Sequence, residues 1–206
     1  MTVSPIVPRT ETTRRHHGDV FADHYEWLRD IDDPAVLEHL KRENDHTEAS
    51  TEHLGELRQD IFEEIRARTR ETDMSVPGRK GDWWYYRRIE EGQNYSRLCR
   101  VPVEGPADWE PPQVESIDPS NEQLLLDSNV EAKGHDFFQL GSTALSHDHQ
   151  LMAWTVDTEG DERYRLNIRN LDDGTQLDSV VTDIAPSVVW AADSSCFFYV
   201  RVDASW

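Results

Sequence analysis

Apolar positions change their period along the chain, and the changes divide it. Residues 17–30 run His17-Gly18-Asp19-Val20-Phe21-Ala22-Asp23-His24-Tyr25-Glu26-Trp27-Leu28-Arg29-Asp30. Aromatic and apolar side chains alternate with charge there at no fixed period. The pattern predicts an irregular segment that pins aromatics against a partner surface. A helical period follows. Asp33 is a good N-cap and Pro34 a good first helical residue, with Val36, Leu37 and Leu40 behind them. Leu54, Leu57, Ile61, Phe62 and Ile65 then form one apolar stripe, flanked by Glu56, Arg58, Asp60, Glu63, Glu64 and Arg66. Residues 34–69 are therefore expected to hold one or two amphipathic helices. They need a partner surface, because short helices are marginal alone.

From Asp82 the period becomes two. Trp83-Trp84-Tyr85-Tyr86-Arg87-Arg88-Ile89 is rich in strand formers, Glu91-Gly92-Gln93-Asn94 supplies a turn, and Tyr95 to Val101 returns. A Pro-rich loop (Pro102, Pro106, Pro111, Pro112) precedes a short strand at Gln123 to Leu126. The segment from Ala144 to Trp154 then aligns with Val189 to Tyr199, an offset of 45 residues. In both copies an apolar strand enters a turn centred on Asp and leaves as an aromatic strand. Between them lie an alternating strand (Tyr164, Leu166, Ile168), an Asp173-Gly174 turn and a strand at Gln176 to Val181. Four strands in about 45 residues make one blade of a β-propeller. An immunoglobulin-like sandwich has similar strand spacing but is not expected to repeat at this period.

Charge narrows the partners. The 206 residues carry 41 Asp plus Glu against 21 Lys plus Arg, a net charge of −20. Such a surface repels nucleic acid and anionic membrane and attracts basic peptides. It also serves as a plain solubility device. Cys99 and Cys196 lie in separate apolar runs and are expected to be buried free thiols in a reducing compartment. Residues 1–17 lack a continuous apolar core, so no signal peptide is expected, and no run reaches the ~20 apolar residues of a membrane span. A cytoplasmic protein is the expectation.

Histidines supply the candidate metal ligands. His39, His46 and His53 recur every seven residues, about 10.5 Å apart along a helix. That is too far for one ion, and a solvated face is expected. His147-Asp148-His149 is read as the polar tip of a blade hairpin, with Asp148 making the turn hydrogen bond.

The ordered series of segments resembles the prolyl oligopeptidase family of serine peptidases, in its oligopeptidase B (protease II) branch. The matching pieces begin with Gly18-Asp19 through Asp30, Glu43-Asn44 with Thr47-Glu48-Ala49, and Asp73-Met74-Ser75-Val76-Pro77. They continue through Trp84-Tyr85-Tyr86-Arg87, Glu91-Gly92, Tyr95, Cys99-Arg100 and Leu124-Leu125-Leu126-Asp127. Gly134-His135-Asp136-Phe137-Phe138-Gln139-Leu140-Gly141, Ala153-Trp154-Thr155-Val156-Asp157-Thr158 with Gly160, and Val189-Trp190-Ala191-Ala192-Asp193 complete the series. Gly134 to Phe138 and Trp190 to Asp193 tilt the resemblance to oligopeptidase B. The turn Ser146-His147-Asp148-His149 departs from the Ser-Pro-Asp-Gly expected there.

The resemblance implies a seven-bladed propeller over an α/β-hydrolase domain, of which this chain would supply the N-terminal part. The expected fold is α+β: a flexible N-terminus at 1–16, a helical segment at 17–75 that docks on the hydrolase domain, and a partial β-propeller of about two blades at 76–206. Tyr25, Trp27 and Leu28 would be clasp residues. No G-x-S-x-G occurs. The nearest run, Leu140-Gly141-Ser142-Thr143, lacks the second Gly, and the triad is expected beyond Trp206. The catalytic, cofactor and metal residues expected within the chain are accordingly none, and its substrate-binding residues are unassigned. The parent activity implied is cleavage of short peptides after Arg or Lys, with the chain inactive alone. The alternatives are a stand-alone propeller-type module that binds proteins, and a piece complemented in trans by a separate catalytic chain.

Overall fold

The computed structural model describes residues 3–113 and 116–203, without the side chains of 178–180. Contacts divide the chain into two compact units, Met1–Arg70 and Glu71–Trp206.

The first unit opens with a hairpin. Strand β1 (Thr12–His16) pairs antiparallel with β2 (Asp19–Asp23), with His16 opposite Asp19. His17 and Gly18 form the two-residue turn, both with positive φ (48° and 93°), as a turn of mirror-image hand needs. Residues 17–23, expected to be irregular, are therefore turn and strand. The pattern missed them because β2 buries none of Val20, Phe21 or Ala22, so no face is marked by apolar alternation. A 3₁₀ turn at Glu26–Arg29 follows. The indole of Trp27 donates to the Pro8 carbonyl at 3.1 Å, and its ring centroid lies 6.5 Å from that of His39.

Helix α1 (Pro34–Thr51) begins as the residues predict: Pro34 is in the first turn, and the Asp33 carboxylate accepts from the Ala35 amide at 2.8 Å. A 3₁₀ turn at Glu52–Leu54 leads into α2 (Gly55–Arg68). His39 does not sit on a solvated face. It is 5% exposed, beneath Trp27 and within 3.6 Å of Glu43. His46 is half-buried and His53 exposed. An aromatic neighbour from outside the helix turned one His of the series inward.

The second unit holds two antiparallel sheets. In the first, β3 (Asp73–Met74), β5 (Trp83–Ile89), β6 (Arg97–Pro102) and β7 (Gln123–Asp127) run in that order, and β4 (Gly78–Lys80) also pairs with β5. A single helical turn, α3 (Ser128–Glu131), leads onward. The second sheet contains β8 (Gln139–Leu145), β9 (Leu151–Asp157), β10 (Tyr164–Asn170), β11 (Gln176–Trp190) and β12 (Phe197–Arg201), each paired with the next. The hairpin at 83–101, the strand at 123 and the four strands of the repeat all appear.

Strand β11 does two jobs. Its first half pairs with β10, and its second half, from Ile184, pairs with β12. The register breaks between Ile184 and Val188, beside Asp183 at φ 56°. The chain thus leaves one blade and starts the next without a loop. The Trp190 indole donates 3.0 Å to the Ala144 carbonyl, so equivalent strands of successive repeats touch.

Strand β9 is buried on both faces. Met152, Trp154 and Val156 cluster with Leu98, Leu125, Leu126, Phe138 and Leu171 towards the first sheet. Ala153 lies on the other side, with Tyr164, Leu166, Ile168, Ile184, Val188 and Trp190. Gly141 is required by this closeness: a Cβ there would stand 2.5 Å from Thr155 Oγ1 and 2.7 Å from the Tyr164 ring.

Candidate functional site

Two features stand out: the seam between the two sheets, and an uncovered stripe on α2. The seam is polar at one end. Arg100 on β6 is 3% exposed. Its guanidinium donates to Gln123 Oε1 (2.7 Å), to the Tyr85 hydroxyl (3.3 Å) and to the His149 carbonyl (3.2 Å), and it lies 3.9 Å over the Trp83 ring. Tyr85 Oη is 2.7 Å from His149 Nδ1, and the two rings stack at 5.9 Å. Gln123 Nε2 donates to the Leu171 carbonyl, Arg87 to Thr143 Oγ1, and Arg169 to the Leu125 carbonyl. Each of these three bonds crosses from one sheet to the other, where a buried polar group without a partner would be costly.

The turn Ser146-His147-Asp148-His149 sits between β8 and β9, at a hairpin tip as expected. Asp148 Oδ1 accepts from Ser146 Oγ (2.5 Å) and the Gln150 amide (3.1 Å), which holds its carboxyl below the usual range. The amides of His147 and Asp148 donate to Ser194 Oγ, in the equivalent turn one repeat on. His149 has φ 62° and reaches back to the first sheet. Sequence reasoning missed that reach. The available signal was a His at the position of a turn that favours Gly.

Ser142, the nearest approach to a nucleophile motif, lies in β8. Its hydroxyl donates to the Pro186 carbonyl at 2.6 Å, so it ties the blade to the second half of β11. No group of three His, Cys, Asp or Glu among the described residues could hold a metal ion. Cys99 is buried, and burial with the nearby Glu122 carboxylate pushes its thiol up to about 12. Cys196 is exposed, contrary to expectation. It follows the hairpin turn at Asp193–Ser195 rather than entering a core. No helix among the described residues is long and apolar enough to cross a membrane.

The α2 stripe is bare. Leu57, Ile61, Phe62 and Ile65 are 48% to 61% exposed, and α2 buries no residue. Four large apolar side chains in line mark an interaction face.

A blade buried on both faces, strands passed directly from one blade to the next, and an unclosed set of sheets define an incomplete β-propeller preceded by a helical unit. The family described as prolyl oligopeptidase, N-terminal beta-propeller domain, matches residues 5–205. The chain belongs to that family. It is 34% identical to dipeptidyl aminopeptidase BI of Pseudoxanthomonas mexicana over 96% of its length, and 28% identical to protease 2 of Moraxella lacunata over 97%. It also superposes on oligopeptidase B from Leishmania major with a TM-score of 0.82 and 28% identity, covering 98% of this chain. It spans about 28% of the length of both curated relatives and 29% of that structure.

Proposed function

We propose that this chain is the propeller-gate and helical-clasp region of an oligopeptidase B-like serine endopeptidase that cleaves short peptides after Arg or Lys. In this reading an α/β-hydrolase domain docks on the α2 stripe and carries the catalytic residues. The exposed stripe carries the proposal: Leu57, Ile61, Phe62 and Ile65 present the apolar face that such a domain would cover. The net charge of −20 suits basic peptide substrates and disfavours nucleic acid as a partner. Cys99, held as a buried free thiol, suits a reducing cytoplasm.

The relation to dipeptidyl aminopeptidase BI favours a second reading, a parent enzyme that removes dipeptides from free N-termini. One experiment separates them. The chain is mixed with the hydrolase domain of a relative and assayed with N-blocked arginyl-p-nitroanilide and with unblocked dipeptidyl-p-nitroanilides, using a serine-directed inhibitor as control. The first reading expects inhibitor-sensitive turnover of the blocked substrate by the mixture only. Turnover confined to unblocked dipeptides supports the second reading. Turnover by the purified chain alone overturns the non-catalytic assignment. A closed oligomer that binds no hydrolase domain points instead to a stand-alone module.

A further inference from the structure

His149 occupies a left-handed backbone conformation (φ 62°) that favours glycine, at a hairpin tip where a side chain is not needed to make the turn. Its side chain is nevertheless engaged across the seam. The Tyr85 hydroxyl accepts from Arg100 Nη1 and lies 2.7 Å from His149 Nδ1. Since the guanidinium can only donate, the Tyr85 proton is free to point at Nδ1 when that nitrogen is unprotonated, which is the tautomer we assign from this network. The other nitrogen, Nε2, faces Gly81, where an added Cβ would stand 3.0 Å away. The imidazole thus lies between the first sheet and its own turn, and accepting from Tyr85 requires its neutral form.

We propose that His149 is a pH-sensitive latch between the first and second sheets: the neutral imidazole accepts from Tyr85 and holds the seam, and the imidazolium releases it. Protonation at Nδ1 removes the acceptor that Tyr85 uses and sets a second cation on the hydroxyl that the buried Arg100 guanidinium already contacts. It also adds a charge where the surroundings oppose one. Arg100 on β6 and Lys80 on β4 are cations facing the ring; Asp82 in the β4–β5 turn and Asp148 beside it are the opposing carboxylates. Tyr85 on β5 is held in its neutral form by burial. Burial first, and then the two cations, outweigh the carboxylates and place the imidazole below its ordinary range. The folded chain therefore binds this proton less readily than the unfolded chain. The latch is complete above about pH 6.5, the ordinary histidine value, and is lost as the pH falls below it. The inference does not depend on the peptidase reading, because it concerns only the contact between two sheets of this chain.

Hydrogen exchange of the 206-residue chain between pH 7.5 and 5.0 tests the latch. The readout is the protection of β4, β5 and β6 amides relative to β9 and β10, corrected for intrinsic exchange rates. Seam protection should fall severalfold in the unaltered chain as the imidazole takes up its proton. It should be flat in His149→Asn, which tolerates the left-handed backbone and cannot gain a proton. Equal pH profiles in the two proteins overturn the proposal. A histidine carbon–proton spectrum of the unaltered chain keeps the test decisive if the variant does not fold. One of the nine histidines should stay neutral to a lower pH than the rest, and Tyr85→Phe should raise it; nine titrations at the ordinary value overturn the latch.

Discussion

Arg100 shows how one residue joins two sheets. Its guanidinium is buried yet held by neutral acceptors, the Gln123 amide, the Tyr85 hydroxyl and the His149 carbonyl, with the Trp83 ring beneath it. Planar, fixed donors suit such a site better than a flexible ammonium would. Cys99, its sequence neighbour, illustrates the opposite treatment of a polar group. The thiol is buried with Tyr86, Trp84 and Val101, and is pushed up to about 12. A raised thiol pKa means that the folded state keeps a proton the unfolded state gives up. Its contribution to stability is therefore complete below the ordinary thiol value of about 8.5 and is lost as pH rises from there towards 12. Disulfide exchange with an aromatic reagent at pH 8 should modify Cys196 promptly, and Cys99 only after denaturant is added. Prompt reaction of both thiols would contradict the buried placement of Cys99.

At the scale of elements, the chain contains helices of two kinds. Helix α1 is anchored on its own unit through Val36 and His39, and capped by Asp33. Helix α2 has the cleaner sequence stripe and no buried residue. Periodicity states that a helix has an apolar face; it does not state whether the cover for that face is local. The stripe should behave accordingly. Ile61→Asp with Phe62→Ser should change the urea midpoint of the isolated chain little, within about 0.5 kcal/mol, because surface substitutions remove no packing. The same pair should lower binding of a hydrophobic dye and abolish association with a hydrolase domain. A loss of stability above 2 kcal/mol would show that the stripe is already covered. The β1–β2 hairpin teaches the converse: its strands bury almost nothing, so alternation had no face to report, and only the His17-Gly18 turn marked it.

For the molecule as a whole, the decisive feature is the layering of the second unit. Strand β9 has cover on both faces, from the first sheet on one side and from the second half of β11 on the other. Trp154 is its centre, fully buried with Arg169 stacked 5.0 Å above the ring. Trp154→Ala should cost about 3–5 kcal/mol and lower the cooperativity of unfolding, since it opens a void where two blades meet. Equilibrium urea denaturation followed by far-ultraviolet circular dichroism measures this. A loss under 1 kcal/mol would mean that the blades are not energetically coupled at that residue.

Much of this architecture was legible in the residues themselves. The Asp33-Pro34 start of α1, the 83–101 hairpin and the 45-residue repeat follow from local chemistry: caps, turns and periods depend on neighbours a few positions away. The family resemblance rested on the same local segments in their order. What only the tertiary structure decided are contacts between residues far apart in sequence. Tyr85 meets His149 across 64 positions, Trp190 meets Ala144 across 46, and His39 turns inward because Trp27 covers it. Cys99 and Cys196 occupy similar apolar runs, yet one is enclosed and the other open. Burial belongs to the surface that arrives from elsewhere in the chain, and a local pattern can announce the need for that surface without naming it.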